Sequence, residues 1–400
     1  MRRDPPRRNS AVKSRQSSSQ ERLGELSGAG TKARHAEKHP YPPRSFVGVA
    51  AEFQTSYERE SIAVPDSKEG LTVAVIGAGH WGKNIVRNMH ALGVLAKVCE
   101  SDDAQRAAIA GDYPDVDFVS DEAAVFDDRD ISAVAIATPA ATHGALVRRA
   151  LEVGKDVFVE KPLCLDVKEA ESLKELADRE SRVLMVGHLL LYHPAFQALQ
   201  QLVSSGGLGK LRYIYSNRAS LGKIRREENA LWSFATHDIS MILQLAGNMP
   251  ARVVASGGHY LTKGVADTTL THLDFGKGLQ AHIFVSWLHP FKDHRMVVVG
   301  EDGMAVFNDV EQGENKLLLY RHKAHWEGDV PIVSRADSEP IPYSDAEPLR
   351  QECQTFLSAV RREGHPVSDA AEGIRVLAVL DACQASLQSG MPVELAIEHA

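Results

Sequence analysis

The chain contains 400 residues, of which 44% are hydrophobic and 24% charged, and its formal net charge is −8. This composition is typical of a globular protein with room for two domains, and the negative charge argues against nucleic acid or an anionic membrane as a partner. The four cysteines show no CxxC spacing, and no apolar run approaches the roughly 20 residues that span a bilayer, so we expect a cytoplasmic protein.

Residues 1–68 differ in composition from the rest and are predicted to form a disordered basic extension. They are rich in arginine, serine, proline and glycine and show no hydrophobic period. The pair Arg2-Arg3 is not followed by the apolar segment of a twin-arginine signal, and acidic residues count against a transit peptide. A start codon assigned too far upstream is the alternative explanation. Only Ser45–Val49 has apolar character suited to packing, for instance on a partner subunit.

The next predicted element is a buried strand that ends in a glycine-rich turn. Residues 71–82 read LTVAVIGAGHWG, in which an apolar run precedes Gly77, Gly79 and Gly82 in the pattern GxGxxG. Such glycines allow a tight turn, close approach of the backbone to a pyrophosphate and close packing of strand and helix. A helical period follows at once, and the N-terminus of that helix would hold a diphosphate through its amide groups and dipole. The segment predicts a dinucleotide site.

A carboxylate at the end of the second strand indicates which dinucleotide is bound. The strand Leu95–Cys99 ends at Glu100, eighteen residues after Gly82. A glutamate in this place accepts hydrogen bonds from the adenosine ribose and repels a 2′-phosphate. We therefore expect NAD as the cofactor, with NADP disfavoured.

From Gly70 to His188 the pattern alternates between buried strands and amphipathic helices. Further strands are predicted at Ile131–Thr138, Asp156–Glu160 and Arg182–Val186. Helices are predicted at Thr142–Val153 and Val167–Glu180, the second opened by the capping box Asp166-x-x-Glu169. Strands joined by helical crossovers predict a doubly wound parallel sheet of six strands.

After His188 strands follow one another with few helices, which predicts a large open, mainly antiparallel sheet in an α+β domain. The predicted strands are Leu211–Ala219, Arg252–Leu261, Thr268–Phe275, Leu279–Trp287, Arg295–Val299, Met304–Phe307 and Lys316–Tyr320. The predicted helices are Trp232–Leu245, Asp345–Glu363 and Asp369–Gln388. We assign a Rossmann domain to residues 69–188, a substrate and oligomerisation domain to 189–365, and a C-terminal helix and tail that pack back on the body to 366–400.

The junction of the two domains carries a candidate base. Glu160-Lys161-Pro162 directly follows a predicted strand, so Lys161 lies at the carboxyl edge of the sheet, where doubly wound folds bind ligands. The proline biases Lys161 toward an extended backbone, and burial beside a cationic nicotinamide would favour its neutral amine. The alternative is a charged turn without a role in chemistry.

The chain from Leu71 onward resembles the glucose–fructose oxidoreductase / inositol dehydrogenase / MocA family. The resemblance rests on the motifs VAVIGAGHWG (73–82), VCESD (98–102), AIATP (135–139), VEKPL (159–163), VGH (186–188) and FATHDIS (234–240). It implies a Rossmann domain followed by an open antiparallel sheet, with the cofactor between them. The cofactor-binding residues are then expected to be Gly77, Gly79, His80, Trp81, Gly82, Glu100, Thr138, Pro139, His143, Glu160 and Lys161.

The same resemblance implies that Lys161 and His237 are the catalytic pair. Many family members carry an aspartate four residues before this histidine, whereas this chain has Ser233. The departure argues against the proton relay of the enzymes that act on free polyols.

Residues 217–245 resemble a branch of the family that acts on nucleotide-linked sugars, including UDP-N-acetylglucosamine 3-dehydrogenases. The cationic cluster of Lys223, Arg225 and Arg226 suits a sugar-nucleotide diphosphate, although a solvated charged loop is the plainer reading. The substrate-binding residues are expected to be Tyr192, Arg218, Arg225, Arg226, Trp232 and Asp238. No histidine or cysteine spacing predicts a metal site.

We therefore predict an NAD-dependent oxidoreductase that oxidises a ring hydroxyl, at the 3-position, of a sugar nucleotide such as UDP-N-acetylglucosamine or its uronic acid. A dehydrogenase of a free polyol such as an inositol is the first alternative. A non-catalytic dinucleotide-binding regulator is the second, which the presence of Lys161 disfavours. The expected partners are a small-molecule substrate and further copies of the chain, as a dimer or tetramer formed through the open sheet, with neither nucleic acid nor membrane.

Overall fold

The computed structural model of the protein describes residues 70–222, 224–226 and 228–395. The predicted extension of residues 1–68, including Ser45–Val49, lies outside the described residues, as does Lys223. No helix in the described part of the chain is long and apolar enough to cross a membrane.

The first part of the described chain forms a parallel sheet with helical crossovers. Its strands are β1 (Val73–Ile76), β2 (Leu95–Cys99), β3 (Asp117–Val119), β4 (Ala133–Ile136), β5 (Asp156–Glu160) and β6 (Leu184–Gly187). Its helices are α1 (Gly82–Ala91), α2 (Asp103–Ala110), α3 (Ala123–Phe126), α4 (Ala140–Glu152) and α5 (Val167–Arg179). The six strands lie in the order β3-β2-β1-β4-β5-β6. The predicted doubly wound sheet is confirmed.

Local sequence explains why these elements form. The four residues of β1 and of β4 are all buried, as the continuous apolar runs predicted for strands covered on both faces. Helix α5 begins where the capping box predicted, because the Asp166 carboxylate accepts a hydrogen bond from the Glu169 amide at 2.8 Å. Continuous apolar runs therefore define strands such as β1 and β4, and the Asp166 cap defines the start of α5.

The second sheet has nine strands. They are β7 (Leu211–Ala219), β8 (Arg252–Gly258), β9 (Thr268–Asp274), β10 (Gln280–Ser286), β11 (Asp293–Gly300), β12 (Met304–Asn308), β13 (Leu317–Tyr320), β16 (Ser338–Pro340) and β17 (Val393–Glu394). Their order is β16-β13-β12-β11-β7-β10-β9-β8-β17. The pair β7 and β10 is parallel and the other neighbours are antiparallel. The sheet is mixed and mostly antiparallel, which confirms the predicted class.

Several elements of the second part were not predicted from the pattern. Helix α6 (Pro194–Ser204) was missed, although Pro194 at its first turn and the His193 cap are start signals. The exposed hairpin of β14 (Lys323–Glu327) and β15 (Val330–Ser334) was missed because strands without a buried face show no alternation. The predicted helix Trp232–Leu245 is in fact a π-helical turn, Leu231–Ala235, followed by α7 (Thr236–Ala246).

The C-terminal helices join the two sheets. Helix α8 (Pro348–Val360) packs against α1, and α9 (Ala370–Ser389) packs against α5 on one side and β8 on the other. Because α9 reaches both sheets, it brings side chains from the end of the chain beside β6 and α7.

Candidate active site

The glycine turn has one glycine that packing does not require. A Cβ on Gly77, whose φ is +90°, would lie 2.8 Å from the Ala137 carbonyl oxygen, and one on Gly82 would lie 2.0 Å from that of Gly77. These two glycines are therefore required by the protein itself. A Cβ on Gly79 would approach only the Gln105 side chain, at 3.7 Å. The bare backbone of Gly79 faces open space, which fits the close approach of a dinucleotide diphosphate.

Glu100 is fixed at the carboxyl edge of β2. One oxygen accepts a hydrogen bond from the Ala78 amide at 2.8 Å and the other from the Asp102 amide at 3.0 Å. The side chain is 8% exposed. A carboxylate has about four acceptor positions, so two are left for ribose hydroxyls. A cleft of about 540 Å³ is lined by His80 of the glycine turn and by residues of α1 and α2, among them Gln105.

Lys161 lies where β5 leads into the cleft between the two sheets. Its Nζ donates a hydrogen bond to the Ser233 carbonyl oxygen at 3.1 Å. Burial is the largest influence on the Lys161 pKa and lowers it, against the opposing carboxylates of Glu228 and Glu160. The carbonyl partner is neutral and cannot restore the charge that burial disfavours. Lys161 therefore gives up its proton more readily than an exposed lysine does.

Glu160, the residue before Lys161, is tied to the glycine turn. Its carboxylate accepts a hydrogen bond from the Trp81 indole nitrogen and another from the Lys161 amide at 3.2 Å. Burial raises the pKa of Glu160, while these hydrogen bonds and the Lys161 charge lower it. The contact joins the end of β5 to the start of α1, across the carboxyl edge of the sheet.

His237 enters the same cleft from the first turn of α7. Its Nδ1 is buried and has no hydrogen-bond partner within the described residues. Burial lowers the His237 pKa well below its usual value, and the charges of Lys161 and Arg218 lower it further. A neutral imidazole with an unpaired nitrogen suits an acid–base helper, because it can accept or donate a proton once a substrate is present.

Comparisons with known proteins identify the family of the chain. A match to the oxidoreductase family with an NAD-binding Rossmann fold covers residues 71–188, and a match to the GFO/IDH/MocA C-terminal domain covers residues 196–306. The chain belongs to the Gfo/Idh/MocA oxidoreductase family. It is accordingly an NAD(P)-dependent dehydrogenase.

Relatives in the family act on different substrates. UDP-N-acetylglucosamine 3-dehydrogenase from Acidithiobacillus ferrooxidans is 29% identical over 82% of this chain and 99% of its own length. The scyllo-inositol 2-dehydrogenase (NAD(+)) of Bacillus subtilis is 26% identical over 82% of this chain and 97% of its own. A solved structure of the Acidithiobacillus enzyme superposes with a TM-score of 0.70 at 27% identity, covering 80% of this chain and 98% of that one.

Two residues expected to bind substrate in this Gfo/Idh/MocA protein are turned away from the cleft. Tyr192 is 3% exposed and its hydroxyl pairs with the Ser368 hydroxyl at 2.8 Å, beneath α9. Asp238 forms a buried ion pair with Arg218, whose Nε lies 2.7 Å from one carboxylate oxygen, and its other oxygen accepts from Ser216. Both expectations are corrected, because these polar groups are satisfied by the protein interior.

The other predicted substrate residues differ in their partners and in their exposure. The Arg218 guanidinium is held by Asp238, yet its charge acts on both Lys161 and His237. Arg225 is more exposed and pairs with Glu228, with 3.0 Å between its Nε and the carboxylate. Arg226 is exposed in the same loop. The Trp232 indole donates a hydrogen bond to Gln384 at 3.1 Å.

His143, one of the residues expected to bind the cofactor, forms a bridge between two turns. The ring of His143 lies between two backbone carbonyls, with Nδ1 2.7 Å from that of Pro162 and Nε2 2.9 Å from that of Thr138. Pro139 caps the start of α4 directly after Thr138. The bridge ties the turn after β4 to the turn that carries Lys161.

Sequence reasoning missed Glu228. Its carboxylate is the largest of the charges that raise the Lys161 pKa, in opposition to burial. In the sequence it belongs to the run Arg225-Arg226-Glu227-Glu228, which cannot be distinguished from a solvated loop. Only the folding of this loop over the end of β5 shows that it faces the site.

Proposed function

We propose that this dehydrogenase oxidises a ring hydroxyl of a nucleotide-linked sugar, such as the 3-hydroxyl of UDP-N-acetylglucosamine or its uronic acid, with NAD as cofactor. The observation that carries the proposal is the presence of two half-buried bases near each other, since the Lys161 charge acts on His237. Among the described residues, the Lys161 Nζ donates to the Ser233 carbonyl at 3.1 Å, and the Nδ1 of His237 has no hydrogen-bond partner. Both have lowered pKa values, through burial above all.

Bound nicotinamide would supply the hydride acceptor, and the chain's own residues would manage the proton. Neutral Lys161 Nζ accepts the hydroxyl proton as the C–H bond breaks, and the Ser233 carbonyl keeps the amine oriented while this happens. The Nδ1 of His237 is the second group able to bond the same oxygen or its neighbour. Glu160 and Trp81 hold the end of β5 against the glycine turn, so that the cofactor and Lys161 keep a constant separation.

The preference for NAD rests on Glu100. Its carboxylate is held by two backbone amides at the end of β2, so it cannot turn away from an added 2′-phosphate without breaking both hydrogen bonds. A like charge in that position disfavours NADP.

The nucleotide-linked substrate is supported by charge and by a relative. Arg225 and Arg226 lie in the loop before α7, where a diphosphate can be bound by guanidinium groups. The Acidithiobacillus relative acts on UDP-N-acetylglucosamine. The polyol alternative is favoured by the inositol dehydrogenases among the relatives, but Ser233 replaces the aspartate that the polyol type of relay uses.

We also propose that copies of the chain assemble through the outer face of the nine-stranded sheet. Its outward side chains include Leu270, which is 50% exposed, and the stacked rings of Tyr215 and His282, 5.3 Å apart. An uncovered apolar sheet face favours a symmetric pairing with a second copy. Sedimentation of the wild type and of Leu270→Asp tests this, since a monomeric wild type would contradict it.

The decisive assay measures NADH formation with UDP-N-acetylglucosamine, its uronic acid and myo-inositol in parallel. We expect turnover with a nucleotide-linked sugar and little with myo-inositol. The opposite preference would establish the polyol alternative, and absence of turnover with all three, despite NAD binding, would favour the regulator.

A further inference from the structure

One glutamine on the C-terminal helix α9 holds the segment that leads into α7. The side-chain oxygen of Gln384 accepts a hydrogen bond from the Asn229 side-chain amide at 2.8 Å and another from the Trp232 indole nitrogen at 3.1 Å. Asn229 is 8% exposed, and Gln384 is half-buried. The two donors are 155 and 152 residues away from their common acceptor in the chain, so only the tertiary structure brings them together.

Asn229 connects Gln384 to the backbone of the π-helical turn Leu231–Ala235. Its side-chain oxygen accepts a hydrogen bond from the Trp232 amide at 3.2 Å, and its backbone carbonyl accepts one from the Ser233 amide at 3.1 Å. Hydrogen bonds therefore form a continuous path from the Gln384 side chain to Ser233.

The π-helical turn supplies a hydrogen-bond partner of Lys161. The Ser233 carbonyl lies in the middle of this turn and accepts from Lys161 Nζ at 3.1 Å. In a continuous α-helix that carbonyl would accept from the amide four residues on, which is that of His237. A π-helical turn interrupts the α-helical ladder, and such turns are frequent at functional sites. The orientation of the Lys161 amine therefore depends on the shape of this turn.

The same turn sets the start of α7. The helix begins at Thr236, directly after the turn, and its second residue is His237. The Thr236 hydroxyl donates a hydrogen bond to the Trp232 carbonyl at 3.1 Å. A change in the turn would therefore act on Lys161 through the Ser233 carbonyl, and on His237 through the first residues of the helix.

We infer that Gln384 is a positioning residue of the proposed reaction, because it holds the π-helical turn in the shape in which the Ser233 carbonyl orients the Lys161 amine. The inference rests on the proposed function, in which Lys161 accepts the hydroxyl proton. The Gln384 amide is neutral and exchanges no proton in the reaction, so its role is geometric. Misplacement of a reacting group by about 1 Å can cost about 10²-fold in rate.

Loss of the Gln384 oxygen would leave two donors without their acceptor. One of them belongs to the buried Asn229, where water cannot easily replace the lost partner. The turn should then shift toward other acceptors and move the Ser233 carbonyl away from Lys161.

The first test compares Gln384→Met and Gln384→Glu with the wild type in the oxidation of the active sugar. Methionine has a similar length and no oxygen, and we expect it to lower kcat by about 10- to 100-fold with KM and NAD affinity changed far less. Glutamate keeps an oxygen that can accept both hydrogen bonds and should recover most of the loss. Gln351→Met is the matched control, since this half-buried glutamine of α8 has an Oε1 without a hydrogen-bond partner among the described residues.

Three outcomes of the kinetic test would overturn the inference. A wild-type kcat in Gln384→Met would show that the turn does not need this acceptor. An equal loss in Gln384→Glu would show that the two hydrogen bonds are not what matters. A raised KM with an unchanged kcat would assign Gln384 to substrate binding instead.

The second test needs no sugar, so it separates this inference from the proposed function. Nitrogen-15 NMR follows the titration of Lys161 Nζ, with the resonance assigned by its absence in Lys161→Ala. An ammonium donates a stronger hydrogen bond than an amine, so the Ser233 carbonyl favours the protonated form of Lys161. Loss of this bond should move the Lys161 titration to lower pH in Gln384→Met, and no such movement is expected in Gln384→Glu.

The other charges that act on Lys161 stay in place in both variants. They are those of Glu228, Glu160, Arg225 and Arg218. A Lys161 titration that is the same in Gln384→Met and in the wild type would overturn the inference, whether or not a sugar proved to be a substrate.

Discussion

Each of the two sheets carries a cationic side chain, and the surroundings of these two cations differ. At the carboxyl edge of the parallel sheet, Lys161 is half-buried and its Nζ donates a hydrogen bond to a neutral carbonyl, that of Ser233. In the nine-stranded sheet, Arg218 on β7 is more deeply buried and is bonded to Asp238 at 2.7 Å. At Lys161 burial outweighs the opposing carboxylates of Glu228 and Glu160 and disfavours the ionised form, whereas the Arg218 guanidinium, bonded to Asp238, stays ionised and becomes part of the framework.

The two cations can therefore have different roles, Lys161 as a group that exchanges a proton and Arg218 as a fixed positive charge. Burial lowers the Lys161 pKa, while the Asp238 carboxylate outweighs burial and raises the pKa of Arg218. The second sheet supplies fixed positive charge near the site, and the first supplies groups that can change protonation state.

The largest expected effect is the loss of kcat when the Lys161 side chain is removed. Because a positioned acid–base group contributes about 10²–10⁴-fold, Lys161→Ala should lose at least that much in kcat while still binding NAD. His237→Ala should lose less, since water can replace part of its role. Steady-state kinetics and NAD titration measure both, with the exposed Lys174→Ala as a control. Retention of more than about a tenth of the activity by Lys161→Ala would remove the acid–base role.

Breaking the buried ion pair of Arg218 and Asp238 should lower the free energy of unfolding. Asp238→Asn leaves the Arg218 guanidinium buried beside a neutral amide, and the free energy of unfolding should fall by about 3–5 kcal/mol. Urea denaturation measures this. The exposed pair of Arg87 and Glu347 provides the control, because Glu347→Gln should cost less than about 1 kcal/mol. Equal effects of the two substitutions would show that burial does not distinguish the pairs.

Glu352, a buried acid without a hydrogen-bond partner among the described residues, should make the stability of the protein depend on pH. Its folded-state pKa is raised, so its contribution to stability is complete below the unfolded-state pKa and is lost as the pH rises through the folded-state value. Glu352→Gln should therefore match the wild type near pH 4 and be more stable at pH 7 to 8. The gain is about 1.4 kcal/mol for each pH unit above the ordinary glutamate pKa, until the folded-state pKa is reached. Melting temperatures across this range test it, and a gain that is independent of pH would contradict it.

The smallest expected effect concerns the cofactor at the end of β2. Glu100→Ala removes a repulsion of the 2′-phosphate and should narrow the preference for NAD over NADP by about 1–3 kcal/mol. Binding titrations of both cofactors with both proteins measure the change. Equal affinities in the wild type would show that Glu100 does not discriminate.

Much of the first sheet and part of the site were predictable because their signals are local. The GxGxxG turn, the Asp166 cap and the position of Lys161 after β5 depend on residues within a few places of one another. Seven of the nine strands of the second sheet were predicted as well, without the short edge strands β16 and β17. The parallel pairing of β7 with β10 was not predicted, since a strand pattern is the same for either direction.

Sequence by itself determined the order of the elements, the turn that fits a dinucleotide, and the placing of a lysine at the edge of a parallel sheet. Tertiary structure alone decided which polar groups meet there. Tyr192 is turned to Ser368, Asp238 to Arg218, and His188 to Glu372, partners 176, 20 and 184 residues apart. A local pattern shows which residues are buried on one element, but the partner that satisfies a buried polar group is chosen by the packing of elements distant in the chain.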